Sequence, residues 1–298
     1  MFLLDVVVPV VLVAAIGFTL TRFAKIDPQP LTQLSFYLLV PALIFQSIQN
    51  PAISEAAFLD IAVFVGIVHG VLFLLAVLAG RAARWDADTR AAATLSFSFC
   101  NCGNYGLPVL LFAFGEVGFA LGVVYSVAHQ AFQIAVGVPY ASWRKGMTGR
   151  ALARTVFAVP WLYALVLAGA VRFTGLRVPT YVARPIDFVA DAAIPLQLLL
   201  LGMSLAGERE RGVLRLAAPI SLAKLAVPPV LAWAAATALG YDGLLRAVLI
   251  LEASTPTAVN ALILSRQFGR RPELTASVIL LTTLGAVGLT SLLLWILA

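Results

Sequence analysis

The chain has 298 residues, of which 61% are hydrophobic and only 11% charged, whereas a soluble domain carries roughly 45–50% and about 25%. With a mean hydropathy of +0.99, the surplus apolar surface has to face lipid, which excludes a cytosolic enzyme, a DNA-binding domain and a disordered interaction protein. The net charge of +6, from 20 Lys and Arg against 14 Asp and Glu, has to be read loop by loop before any partner is invoked.

Ten apolar stretches, separated by charged or Pro/Gly-containing breaks, read as membrane-crossing helices of about 20 residues each. They cover residues 5–21, 34–49, 58–80, 91–114, 117–140, 151–173, 185–206, 214–239, 244–268 and 275–298. The expected class is an all-α polytopic membrane protein with ten transmembrane helices. The first stretch has no basic leader, carries Asp5 and meets its first cation only at Arg22, so it reads as a retained helix and not a cleaved signal.

Fifteen of the cations, among them Arg22, Arg81, Arg144 and Arg270, fall in connections on one side. Four (Arg172, Arg177, Arg184 and Arg246) fall on the other, and Lys224 lies inside a helix. The positive-inside rule makes the first side cytoplasmic. Both termini are then extracytoplasmic, in a multi-pass protein of the cell inner (plasma) membrane. This distribution accounts for the basic balance without nucleic acid.

An offset of 154 brings landmarks of the two halves into register. Pro41 falls on Pro195, Phe114-Gly115 on Phe268-Gly269, Asn101 on Thr255 and Cys102 on Pro256. Residues 1–140 and 151–298 thus read as two five-helix repeats. Five being odd, the second enters the membrane inverted, as in secondary transporters.

The fourth and ninth helices are unusual in both halves. The fourth carries Asn101, Gly103, Asn104, Gly106 and Pro108 within eight residues, and the ninth carries Glu252, Ser254, Thr255, Pro256 and Asn260. Proline removes an N–H and crowds the preceding turn, so both helices should break near the midplane. Non-helical backbone is tolerated there only inside protein or along a wet cavity. Broken ends present free N–H groups suited to an anion and free carbonyls suited to a cation.

At these residues the sequence resembles the auxin efflux carrier family, prokaryotic relatives of the plant PIN proteins. The fourth-helix pattern Asn-x-Gly-Asn-x-Gly-x-Pro is met by Asn101, Gly103, Asn104, Gly106 and Pro108, and the ninth-helix pattern by Pro256, Ala258, Asn260 and Phe268-Gly269. The run Pro195–Leu205 is similar to the family's seventh helix. Ser254-Thr255 departs from relatives, which often carry apolar residues or Met before the proline. The resemblance implies an elevator-type carrier. Helices 1, 2, 6 and 7 would form a scaffold, helices 3–5 and 8–10 a moving transport domain, and broken helices 4 and 9 would cross near the midplane. It also implies small organic anions as substrates, auxin-like acids or dicarboxylates, and a homodimer joined through the scaffold.

Asn101 and Asn104 offer donors and acceptors to a ligand or to opened backbone, and Asn260 stands one turn beyond Pro256. Thr255 shares the environment of its repeat partner Asn101. Lys224, mid-way along the eighth helix, either holds a substrate carboxylate or sits in a structural salt bridge, with Glu252 and Asp191 as candidate partners. Glu252, one turn from Pro256, is the better place for a coupling H⁺ or Na⁺, and Asp191 would line the outer vestibule. His129 shares a face with Gln133 and is a second candidate for a coupled proton, although it and His69 also suit neutral interior roles. Cys100 and Cys102, at i and i+2 with no matched histidine, read as small packing residues and not as metal ligands.

The leading reading is a secondary transporter of a small organic anion, without cofactor. The alternative is a Na⁺/H⁺ or other cation-proton antiporter on the same fold, which would want paired carboxylates at the crossing. No rhomboid-like Ser/His motif, Asp-rich prenyltransferase motif, His-Glu-x-x-His or Walker motif is present, so the chain is not read as an enzyme.

Overall fold

The computed structural model describes residues 2–49, 54–142, 148–150, 154, 160–206 and 213–297. Residues 151–153 and 155–159 of the sixth expected stretch fall outside them, as do the cations Arg144, Lys145, Arg209 and Arg211. The described residues form helices throughout, with one isolated β-bridge between Cys100 and Thr257.

In chain order the helices are α1 (Phe2–Arg22), α2 (Pro28–Ile48), α3 (Glu55–Ala82), α4 (Ala87–Ser98), α5 (Cys102–Ser142), α6 (Pro160–Thr174), α7 (Thr180–Leu205), α8 (Leu214–Ala238), α9 (Gly243–Ala253), α10 (Val259–Phe268) and α11 (Pro272–Leu297). Among the described residues seven stretches are long and apolar enough to cross a membrane: residues 5–22 and 56–82 of α1 and α3, and α2, α5, α7, α8 and α11. Helix α6 is apolar but shorter, and α9 and α10 are the two arms of a broken helix. Helix α5 runs across a fold at Gly115, where φ is 62°.

Several starts lie upstream of the expected ones because polar caps extend the helices beyond their apolar cores. Asp27 caps α2 by accepting from the Gln29 N–H, with Pro28 at the first position. Asp86 caps α4 by accepting from the Asp88 and Thr89 N–H groups. The Thr89 hydroxyl and these N–H groups hold the Asp86 carboxyl below its ordinary value of 3.8. The depressed value means that the cap stabilises fully above the ordinary pKa and loses its contribution as pH falls through the lower folded value. Asp86→Ala is expected to cost about 1 kcal/mol at neutral pH. The gap between the two thermal midpoints should close as the medium is acidified below 3.8.

The landmarks placed in register by the 154-residue offset share some local features, though the ψ angles at Gly115 (−160°) and Gly269 (44°) differ. Gly115 and Gly269 both have positive φ, 62° and 61°, and each follows the phenylalanine that closes its segment. Pro41 follows a π-turn (Ser35–Leu39) in α2, and Pro195 follows an interruption at Ala192 in α7.

Helix α1 packs along the second half of α7, and α2 packs against α6 and α7. On the other side α3 packs on α4 and α5, and α8 on α11 and α9. The α1–α7 approach is close enough that only glycine fits. A Cβ on Gly17 would land on the Leu199 carbonyl, and one on Gly202 on the Ala14 carbonyl. Gly202→Val is therefore expected to cost about 1–3 kcal/mol through overpacking, measured as a lower midpoint in detergent. An unchanged midpoint would count against the contact.

The turn between α10 and α11 is tied down by its cations. Arg270 is buried and donates to the Ala141 carbonyl at 2.8 Å and to Asp88 at 2.5 Å. Arg271 donates to Thr89 at 2.9 Å. These arginines, expected only to set topology, also fasten α11 to the start of α4.

Candidate functional site

Helix α4 ends at Ser98 because Phe99 turns extended (φ −98°, ψ 122°) and Asn101 is non-helical (φ −87°, ψ 54°) before α5 begins. Helix α9 ends at Ala253, and α10 does not start until Val259, after an extended Ala258. The two interruptions lie against each other. The Asn101 N–H donates to the Pro256 carbonyl at 2.8 Å, and the Ala258 N–H donates to the Phe99 carbonyl at 3.0 Å.

Thr257 completes the junction, donating from its hydroxyl to the Ser96 carbonyl at 2.7 Å and from its N–H to Thr282 Oγ1 at 3.1 Å. Backbone polar groups without helical partners need others when water is excluded. Each break supplies them to the other. Thr257 was not among the sequence candidates, since nothing local announces partners so distant in the chain.

Around this junction stand polar groups without hydrogen-bond partners among the described residues. The Asn101 carbonyl accepts from the Tyr105 and Gly106 N–H groups, but its buried Nδ2 has no protein partner. Glu252 is fully buried in the last turn of α9, and neither carboxylate oxygen is hydrogen-bonded. Its carboxylate packs against Gly106, where any Cβ would strike it, and close to Gly122. Gly106 of the fourth-helix motif is thus explained by a side chain from the other half. A narrow crevice here is lined by Glu252, Gly106, Tyr105, Thr255 and Thr290, with the Tyr105 and Thr290 hydroxyls 2.9 Å apart. Tyr105 and Thr290 were not anticipated either, though Tyr105 lies inside the motif.

Lys224 is fully buried in α8, and its ammonium has no hydrogen-bond partner among the described residues. The anticipated ion pairs are not formed. Neither Glu252 nor Asp191 is bridged to it, and Asp191 is exposed at the interruption of α7. Residue spacing along separate helices could not register their relative rotation.

The other candidates divide. Gly103 faces open space and Asn104 is half-buried beside it, while Pro108 is buried in the resumed helix. Pro256 gives its carbonyl to Asn101, and Thr255 spends its hydroxyl on the Glu252 carbonyl at 2.8 Å. Asn260 is exposed, with its amide 3.4 Å from Gln133 Oε1, and is not among the residues lining the crevice.

A second buried polar group lies behind the first break. His69 from α3 and His129 from α5 lie with ring centroids 4.3 Å apart and planes tilted by 53°, both fully buried. His69 Nδ1 lies 2.9 Å from the Ser98 carbonyl, and Nε2 lies 2.6 Å from the Tyr125 hydroxyl and 3.8 Å from Cys100 Sγ. His129 Nε2 accepts from the Cys100 N–H at 3.4 Å, and Nδ1 lies 3.4 Å from Cys102 Sγ and 3.3 Å from the Gln133 amide. The expectation that the cysteines lack matched histidines is therefore corrected. The fold brings both histidines to them from positions about thirty residues away on either side, where no motif spacing could show it.

The family model described as "Membrane transport protein" matches residues 2–147 and 146–296. The chain belongs to the auxin efflux carrier family. It is 27% identical over 296 residues to an uncharacterized transporter of Methanothermobacter thermautotrophicus, covering 98% of this chain and 96% of that protein. It is 29% identical over 274 residues to a Rhizobium meliloti protein named "Putative malonate transporter", covering 87% and 84%. An uncharacterized transporter of Methanocaldococcus jannaschii is 24% identical over 304 residues, 99% and 98% of the two chains. This family member is a membrane transporter and not an enzyme.

Proposed function

We propose that this protein is a secondary active carrier of a small carboxylate anion, with dicarboxylates of malonate's size the first substrates to test and auxin-like monoacids next. The observation that carries the reading is the junction of the two broken helices, where Asn101 and Glu252 are buried with unpartnered polar atoms, beside α8 with the buried, unpartnered ammonium of Lys224. An ammonium and an amide donor without internal partners suit an anion's oxygens. An unpartnered buried carboxylate suits an accompanying H⁺ or Na⁺, since an isolated charge at such depth is costly. The name of the Rhizobium meliloti relative points to the same substrate class.

In this reading the chain crosses the inner membrane ten times as two inverted five-helix repeats, with both termini extracytoplasmic. The positive φ shared by Gly115 and Gly269 and the paired prolines support the repeat. The scaffold consists of α1, α2, α6 and α7, whose mutual packing supports the division, and the remaining helices move as an elevator. The scaffold also carries the homodimer contact.

Ligand-dependent thermal stabilisation of the purified protein tests the reading, because a ligand that binds only the folded state raises the midpoint by mass action. Malonate, malate, succinate, lactate and indole-3-acetate are compared in Na⁺ and choline buffers at two pH values. A carboxylate shift that disappears in Asn101→Ala supports the anion carrier. A midpoint that responds only to Na⁺ or pH favours the cation-proton antiporter, for which the buried Glu252 is the supporting observation.

A further inference from the structure

We propose that Cys100, His69 and His129 form a binding site for a soft monovalent d¹⁰ cation, Cu(I) being the natural one. Their ligating atoms, one from each residue, all lie within 4.8 Å of one another, and the three residues are at most 1% exposed. The centre of a triangle of that side is about 2.8 Å from each corner. Closing to metal–ligand distances of roughly 2.0–2.3 Å therefore asks each side chain to move by about half an ångström or somewhat more.

The surroundings prepare the ligands. His69 Nδ1 faces the Ser98 carbonyl, to which it can only donate. This leaves Nε2 as the lone-pair nitrogen, on the side of Cys100. A backbone carbonyl orienting an imidazole in this way is the usual outer support of a metal-bound histidine. His129 Nε2 accepts from the Cys100 N–H, which leaves the proton on Nδ1, 3.4 Å from Cys102 Sγ, and that backbone N–H gives up the Nε2 lone pair when the ion binds.

The choice of ion follows from charge and softness. Thiolate with imidazole selects Cu(I) or Zn²⁺ over hard cations. One thiolate neutralises a monovalent ion, whereas Zn²⁺ would leave a net charge in a fully buried setting. The balanced step is exchange at sulfur. The Cys100 S–H bond breaks as the S–Cu bond forms, and one proton leaves for each ion bound. The Tyr125 hydroxyl, 2.6 Å from His69 Nε2, competes for that lone pair and is displaced on binding. The ligands come from α3, the first break and α5, which lie together within the proposed moving domain. The site would thus clamp that domain without bridging it to the scaffold. This inference does not depend on which anion is carried.

The test uses the purified full chain in detergent under anaerobic conditions. Cu(I) is supplied as its acetonitrile complex against a chromogenic Cu(I) chelator, with Ag(I) as a redox-inert probe. The expected result is one ion per chain with release of one proton, and X-ray absorption fitted by one sulfur and two nitrogens. Cys100→Ser should weaken binding by at least ~100-fold, a loss beyond that of removing an outer-shell group. Cys102→Ser should retain it, and Tyr125→Phe should tighten it by removing the competing hydroxyl. Uptake no greater than that of Cys100→Ser, a fit requiring two sulfurs, or weaker binding in Tyr125→Phe would each overturn the assignment. The spectroscopic fit is made on the unsubstituted chain, so it decides the matter even if a variant fails to fold.

Discussion

Glu252→Gln is expected to abolish ion-coupled uptake in proteoliposomes while leaving the protein folded. The carboxylate is fully buried between the two broken helices, packed on Gly106, and neither oxygen is hydrogen-bonded. Burying an uncompensated charge is expensive, so in the anion-carrier reading the group keeps company with a proton or a metal cation at each stage of transport. The amide has the same shape and needs neither. Coupling free energies of 1–3 kcal/mol correspond to about 5–150-fold in affinity. The stimulation of substrate binding by Na⁺ or low pH should therefore collapse by a factor in that range. The thermal midpoint without substrate should hold or rise, because the amide removes a charge and opens no cavity. Gradient-driven uptake at the parental level in Glu252→Gln would remove Glu252 from the mechanism.

What could be read from residues alone follows from which forces act locally. Apolar stretches and cation placement are imposed by the bilayer along each segment, so the helical stretches were visible without knowing any partner. The breaks were visible too, because Pro108, Pro256 and the Asn/Gly cluster frustrate a continuous helix by their own chemistry. The Phe-Gly register was legible because glycine tolerates the positive φ found at both Gly115 and Gly269.

Partner choice was not legible. Thr257 bonds to Ser96 across 161 residues, and His69 meets Cys100 across 31. Such contacts depend on the rotation of one helix about another, and nothing in the spacing along either chain segment encodes it. The same ignorance of rotation paired Lys224 with Glu252 and Asp191, neither of which it bridges, and matched the cysteines with no histidine. Asn260, read as a ligand contact from its place after Pro256, also lies within reach of Gln133, 127 residues away. One fact accounts for both errors: the interior pairs groups by orientation, which a one-dimensional pattern leaves open.

Lys224→Met is expected to make the protein more stable and unable to bind its anion. Lys224 is completely buried in α8, and its ammonium has neither a hydrogen bond nor an ion pair among the described residues. Taking an ammonium out of water costs several kcal/mol even after the surroundings relax, and that cost is recovered only through good partners. A methionine side chain fills nearly the same volume with flexible, apolar atoms. The substitution should therefore stabilise the substrate-free protein by a few kcal/mol, in the range seen when buried ionic groups give way to hydrophobic ones. A position that is costly in the empty protein persists where the charge serves a bound ligand, which is the usual form of a stability–function conflict. Scanning the unfolding midpoint with and without malonate reads both effects in one experiment. The variant should start higher and fail to respond. A Lys224→Met protein that melts lower and still responds to malonate would make the ammonium a structural element with undetected partners, and the anion's positive contact would have to be sought elsewhere.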